Sequence, residues 1–549
     1  MALKVVQSMA ENIRMTPMSV QQRSPVRQPV VAQFEKCSAV IRDNLDVGEK
    51  KKFLRSQLKQ RNGEALSCCK QMERSRMRFV GEAAFQALDT GNSSKQRHLD
   101  TFCHSSRGAR GQSLIQRTIM RAGTELVATE EVAAEVDYGI SPRFANVKSS
   151  QILDMLALAN ELDKADPSGV PIIRWCASES GFDTPRPIVE EGMKALQDGF
   201  TRYTDSAGIL ELRQAICHKL QVENGLTYAL DEILVSNGAK QSLMQAVTTV
   251  CLPGDEVIIP TPYWAGYPEM VHMAEAKTVT VETSIDNNFM LTANALSAVL
   301  TDKSRLLIIN TPANPTGTVY TRKALEAIAA VVVKHPRLLV LSDEIFEHII
   351  YSPATHTSIA SIPGMWERTL TVNGFSKVFA MTGWRLGYLA APRKFLKPMA
   401  KIQSQSTSGA CSIAQKAGVA ALGLGHGGGK EVAAMVKAYE ERRDFLVQRL
   451  QALEGVKVFP PEGTFDVFPD FSAYFGTHVA GFGTINDAET LCRFFMKTAK
   501  VAMVPGDCFG NGNCIRISFG SSMEKIKEGM ERIESVMPLL KPSTLPRTK

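Results

Sequence analysis

The chain has 549 residues, 44% of them hydrophobic and 22% charged; this is several times the roughly 100 to 200 residues of one typical core, predicts two or more packed globular units, and excludes collagen, coiled coil and wholesale disorder. The net charge of +7 does not describe a nucleic-acid surface, because residues 1–120 hold 21 Lys and Arg against 10 Asp and Glu, a local +11, while the remainder sums to −4. No apolar run reaches the roughly 18 to 20 residues of a bilayer span, and eleven cysteines without a C-x-x-C pair argue against a disulfide framework and against a spaced zinc site, so no metal and no membrane are expected.

Residues 1–120 carry scattered Arg, Ser and Gln with little apolar periodicity, and Thr101 to Met120 contains no acid at all. This is the composition of an organelle transit peptide or of a disordered basic leader; a secretory signal would need a continuous apolar stretch near the start. From Glu125 to Asp137 the chain turns acidic, which is read as the start of the mature protein.

Beyond Gly139, strand-sized apolar runs alternate with helix-sized amphipathic ones, which predicts an α/β protein with a mostly parallel central sheet. Five of those runs end in chemically loaded residues. Glu232 to Val235 leads into Ser236-Asn-Gly-Ala-Lys240, Val257 to Ile259 into Thr261-Pro-Tyr-Trp264, and Leu306 to Ile309 into Asn310-Thr-Pro-Ala-Asn314. Leu338 to Leu341 leads into Ser342-Asp343, and Leu370 to Val372 into Asn373-Gly-Phe-Ser-Lys377. Ligands of open α/β sheets bind outside the carboxyl ends of the strands, so the five segments are expected to converge on one site. Further on, the pattern predicts a helix from about Glu431 to Ala452, short strands near Val456 and at Cys514 to Ser518, and a last helix over Met523 to Val536. Together these form a smaller α+β domain. The boundaries read as an arm and lid helix over 121–182, a large domain over 183–442 and a small domain over 443–549.

Singly, each loaded residue has an ordinary structural reading beside a chemical one. Gly238 at a strand-to-helix turn serves geometry or lets backbone amides meet an anion. Lys377 is a solvated surface charge or, if desolvated, an amine able to form a Schiff base. Asp343, after an apolar run, needs a cation, which a pyridinium nitrogen or any arginine supplies. Trp264 fills core or stacks on a flat ring, and Arg385 and Arg516 are surface ion pairs or fork donors to phosphate and carboxylate. As a set they satisfy one cofactor, pyridoxal 5'-phosphate, together with a bound amino acid.

Through Ser236-Asn-Gly-Ala-Lys-Gln241, Asn314-Pro-Thr-Gly317, Ser342-Asp-Glu-Ile345 and Ser376-Lys-Val-Phe-Ala-Met-Thr-Gly-Trp-Arg-Leu-Gly387, the sequence resembles the fold-type I aminotransferases of class I, subgroup beta, and within them the plastid aspartate and prephenate aminotransferases. The likeness runs from about Ser141 to Val536. It implies a large domain with a mostly parallel sheet, a smaller α+β domain, and amino transfer between glutamate or aspartate and a 2-oxo acid by a ping-pong mechanism. By that resemblance Lys377 holds the cofactor in Schiff-base linkage and shuttles the proton, Asp343 pairs with the ring nitrogen, Asn314 bonds the ring hydroxyl and Trp264 stacks on the ring. Gly238, Ala239, Lys240, Ser376 and Arg385 surround the phosphate. Tyr203 matches the tyrosine that reaches the neighbouring subunit's phosphate, which implies a homodimer. Arg516 matches the clamp on the substrate α-carboxylate, and Lys240 a position that also helps recognise a distal acid group. The leader, with this likeness, points to the plastid stroma, or alternatively to the mitochondrion.

Four positions depart from that pattern. The family's tyrosine three residues after the cofactor aspartate is Phe346. In Ala177-Ser178-Glu179-Ser180-Gly181-Phe182 a side chain, Ser178, stands where glycine normally offers its amide to the substrate carboxylate. A threonine near the start of the lid helix is Ile152, and an aromatic beside Phe465 is Asp466. Beside the acidic amino-acid aminotransferase, two other readings therefore stay open: a pyridoxal enzyme with shifted substrate, such as another transaminase or a β-lyase, and a catalytically weak cofactor-binding paralogue.

Overall fold

The computed structural model describes residues 137–165 and 169–541, which belong to one unit spanning Val136–Lys549. The leader over 1–120 and the first part of the arm lie outside the described residues.

The five loaded runs are all strands of one seven-stranded sheet. Its members in chain order are β1 (Ile233–Ser236), β2 (Glu256–Thr261), β3 (Lys277–Glu282), β4 (Ser304–Asn310), β5 (Leu339–Asp343), β6 (Thr369–Gly374) and β7 (Gly387–Ala390). Across the sheet they follow the order β1-β7-β6-β5-β4-β2-β3. Ladders β6 to β5, β5 to β4, β4 to β2 and β2 to β3 are parallel, whereas β7 is antiparallel to both of its neighbours. Strands covered on two faces read as unbroken apolar runs, and Leu306, Leu307, Ile308, Ile309, Val340 and Leu341 are all buried. Successive side chains feed opposite layers: Leu306 and Ile308 join one apolar cluster, Leu307 and Ile309 another.

Because the strands share direction except at β7, the ends of β1, β2, β4, β5 and β6 lie along one edge of the sheet. The helix α1 (Ala239–Val250) starts at the end of β1.

A three-stranded sheet is built from β8 (Asp466–Val467), β9 (Val504–Pro505) and β10 (Ile515–Ser518) in the order β9-β10-β8. The long helix occupies Gly429–Gln451 and the last one Met523–Val536, as their amphipathic patterns predict. Near Val456 the expected strand is only a single bridge, between Lys457 and Asp470. Among the described residues no helix is long and apolar enough to cross a membrane.

Candidate active site

Five strand ends and the α1 N-terminus enclose a cavity of about 270 Å³. Ser178, Ala239, Lys240, Trp264, Asn314, Asp343, Ser376, Lys377, Arg385 and Arg516 all line it, so ten of the twelve expected site residues meet in one place. Gly238 stands at its rim against Arg385. Tyr203 does not reach the cavity; it is 94% exposed on the surface of this single chain. Of the four departures, Phe346 and Ile152 are in the lining, and Asp466 is buried close to Arg516.

One end of the cavity is cationic. Gly238 precedes the first turn of α1 with φ 82° and ψ 158°, a region essentially reserved for glycine. A Cβ there would lie 2.4 Å from Nη2 of Arg385, so the missing side chain is what lets the guanidinium approach the helix start. Arg385 is itself left-handed, at φ 52°, and its Nη1 donates to the Thr382 carbonyl at 2.8 Å. Burial, and after it the Arg385 charge, pull the Lys240 ammonium below its ordinary value. Neither cation has a carboxylate partner among the described residues. Two unpaired cations at a helix N-terminus make an anion seat.

The floor is acidic. Asp343 ends β5, 5% exposed, and burial pushes its carboxyl up to about 6 despite a hydrogen bond of 2.7 Å from the Tyr267 hydroxyl. Tyr267 is itself held far above its ordinary value by burial and then by the Asp343 charge, so it stays a donor. Asn310 ties the arrangement together, donating from Nδ2 to the Asp343 carbonyl at 2.9 Å and accepting from the Asn314 amide at 2.7 Å. Trp264 projects its indole beside the helix that carries Tyr267, with ring centroids 5.3 Å apart, and the Lys240 ammonium lies 5.1 Å from the indole.

Lys377 sits between these ends. Its Nζ donates to the Ser178 carbonyl at 2.5 Å and lies 5.7 and 5.5 Å from the rings of Phe346 and Phe465. Burial pulls the ammonium down to about 8, against a raising contribution from Asp466. An amine so placed is partly neutral near pH 8, and is a nucleophile and base rather than a spectator charge.

Tyr267 and Asn310 were legible only as core and strand end, and they escape a sequence reading. The signal for Tyr267 was its place three residues after Trp264 at a helix start; for Asn310, it was the Asn310-x-x-x-Asn314 spacing.

The donor set fits pyridoxal phosphate. The unpaired Lys240 and Arg385 suit its phosphate, the buried carboxylate of Asp343, which accepts from a phenol and a backbone amide, suits a protonated ring nitrogen, and Lys377 suits its aldehyde.

Comparison with known proteins agrees. The family model for aminotransferase class I and II matches residues 170–533. A bifunctional aspartate aminotransferase and glutamate/aspartate-prephenate aminotransferase of Petunia hybrida is 55% identical over 445 residues, covering 81% of this chain and 91% of the relative. An aspartate aminotransferase of Pinus pinaster is 54% identical over 468 residues, covering 83% and 92%. Among solved structures, the aspartate aminotransferase of Rhizobium meliloti is 38% identical at a TM-score of 0.70, covering 74% of this chain and all of that one. That of Thermus thermophilus with maleate is 38% identical at 0.67, covering 72% and 99%. With a fold of type I and a site of this composition, the chain belongs to the class I and II aminotransferases and is an aminotransferase that uses pyridoxal phosphate.

Proposed function

We propose that the protein moves an amino group between aspartate or glutamate and a 2-oxo acid, with oxaloacetate, 2-oxoglutarate and prephenate as acceptors, by a ping-pong mechanism. The observation that carries this reading is Lys377, an amine depressed by burial to about 8 and set between an acidic floor and a cationic end.

Pyridoxal phosphate, when bound, supplies an electrophilic carbon and a ring that accepts electron density. The remaining steps belong to the protein. Lys377 would hold the cofactor by its aldehyde and, as a free amine, would move the proton at the substrate Cα. Asp343, fixed by Tyr267, would keep positive charge at the ring nitrogen. Gly238, Ala239, Lys240, Ser376 and Arg385 would hold the phosphate, Asn314 the ring hydroxyl, and Trp264 would cover the ring face. Arg516 takes the α-carboxylate with Ser178 beside it, and Lys240 also meets a distal acid group.

Tyr203, projecting from the surface, serves the phosphate of a second copy, so the working unit is a homodimer. Residues 121–182 act as an arm and lid helix, 183–442 as the large domain and 443–549 as the small one. Residues 1–120 act as a transit peptide to the plastid stroma, with the mitochondrion as the alternative; a reporter fused behind them is expected to enter plastids, and a cytosolic reporter would remove this assignment.

The test is a panel of donors and acceptors on the protein loaded with cofactor. Aspartate and glutamate are expected to bleach the visible cofactor band and to support transfer to oxaloacetate or 2-oxoglutarate, and glutamate or aspartate to support transfer to prephenate. A band that persists with both acids while another amino acid bleaches it would move the protein to the shifted-substrate reading. That reading draws its support from Ser178 and Asp466, which meet beside Arg516.

A further inference from the structure

Strand periodicity brings two unlike residues together. Arg516 and Ser518 lie on the same face of β10, and Asp466 on β8 is paired opposite Ser518, so Asp466 and Arg516 are diagonal neighbours on that face. Asp466 is fully buried and Arg516 is 1% exposed. The Asp466 Oδ2 accepts from the Ser178 hydroxyl at 2.7 Å. Its Oδ1 faces Nε of Arg516 at 3.8 Å, outside hydrogen-bond reach, and neither atom has a hydrogen-bond partner among the described residues. The two terminal nitrogens of Arg516 are already turned to Asn314 Oδ1 at 3.2 Å and to the Cys176 carbonyl at 2.8 Å.

The charge balance follows. A buried guanidinium is a strong seat for an external carboxylate when its charge is unmet. Here the Asp466 side chain lies along it. Ser178 fixes that carboxylate, so two separate departures from the family pattern form a single hydrogen bond. An arriving α-carboxylate would stand near Asp466 as a like charge, in a part of the protein with little water to screen it.

We propose that Asp466, positioned by Ser178, is a specificity-determining residue that weakens the hold of Arg516 on the substrate α-carboxylate and shifts preference toward amines with no carboxylate on the reacting carbon. This rests on the assignment of Arg516 as the α-carboxylate clamp in the proposed function. Asp466 touches no reacting atom; beside Arg516 its charge also bears on Lys377, so maleate binding and the ratio of aspartate to β-alanine carry the test, not kcat.

The test uses the full chain loaded with pyridoxal phosphate, with Asp466→Asn, which keeps an acceptor for Ser178 but removes the charge, and Asp466→Ala as a second variant should the first fail to fold. Maleate affinity is read from the shift of the cofactor absorbance, without turnover. The variant is expected to bind maleate at least tenfold more tightly and to lower KM for aspartate by a similar factor. Its preference for aspartate over β-alanine, which is aspartate without the α-carboxylate, should rise at least tenfold. Equal maleate affinity in both proteins, or parallel changes for aspartate and β-alanine, overturns the inference while transamination stands. Absence of aspartate and glutamate transfer in both proteins, whatever maleate does, instead overturns the assigned reaction.

Discussion

Lys377→Ala is expected to leave a folded protein that has lost transamination by roughly 10⁴-fold, the upper end of what one positioned acid–base group contributes. Folding survives because the native site does not favour the charge it loses: burial pulls that ammonium down to about 8, so removing it relieves a desolvation cost. The melting temperature should therefore hold or rise slightly. Among the described residues Lys240 is the one other lysine lining the cavity, and it lies 5.1 Å from the Trp264 ring. Borohydride reduction followed by peptide mass mapping distinguishes the two. In the parent protein the cofactor should be fixed to Lys377, and in the variant to no lysine. Cofactor fixed at Lys240, or turnover within a hundredfold of the parent, would remove the role given to Lys377.

What could be read from the sequence was what local chemistry repeats. Parallel strands buried on both faces are continuous apolar runs, and a sheet edge gathers whatever follows them, so the five loaded ends announced both the fold and most of the cavity. The helix over Met523–Val536 was readable because its apolar spacing is local. The hidden parts depend on contacts far apart in the chain. β7 is four residues, Gly387 to Ala390, with no polar terminus to mark it, and its insertion between β1 and β6 is a tertiary choice. Tyr267 beside Trp264 reads as core packing until Asp343, 76 positions away, is seen to accept its hydrogen bond. Ser178 and Asp466 could be noted one at a time, but their hydrogen bond spans 288 positions. Phe346 is the instructive middle case. Its identity showed that a phenol was missing, and the structure adds that its ring packs edge-on against Phe465 at 5.3 Å, with Lys377 above both.

Asp343→Asn is expected to lower turnover by roughly 10² to 10⁴, because breaking a buried ion pair costs about 3 to 5 kcal/mol and each 1.36 kcal/mol is tenfold. The amide keeps the volume and can still accept from Tyr267, so the loss is one of charge. Without cofactor, the Asp343 carboxyl is pushed up to about 6, chiefly by burial, about two units above its unfolded value. The sign of the linkage then follows. The buried negative charge weakens the cofactor-free fold fully above pH 6, by about 3 kcal/mol at 1.36 kcal/mol per unit, and this penalty fades as pH falls from 6 toward 4. Cofactor binding needs the carboxylate, so affinity for pyridoxal phosphate should drop as pH falls through about 6. In Asp343→Asn the part of each dependence that this carboxylate owns should vanish: affinity is weaker at pH 8 and loses its step near pH 6, keeping only the fall that Lys377 imposes as it protonates below about 8, and the unfolding profile of the cofactor-free protein loses the part of its slope between pH 4 and 6 that the parent owes to this group. Equilibrium cofactor titration and denaturant unfolding at pH 5, 6 and 8 measure the two effects separately. A variant that keeps the parent's step in cofactor affinity near pH 6 would show that the ionisation lies elsewhere and that Asp343 does not face the ring nitrogen.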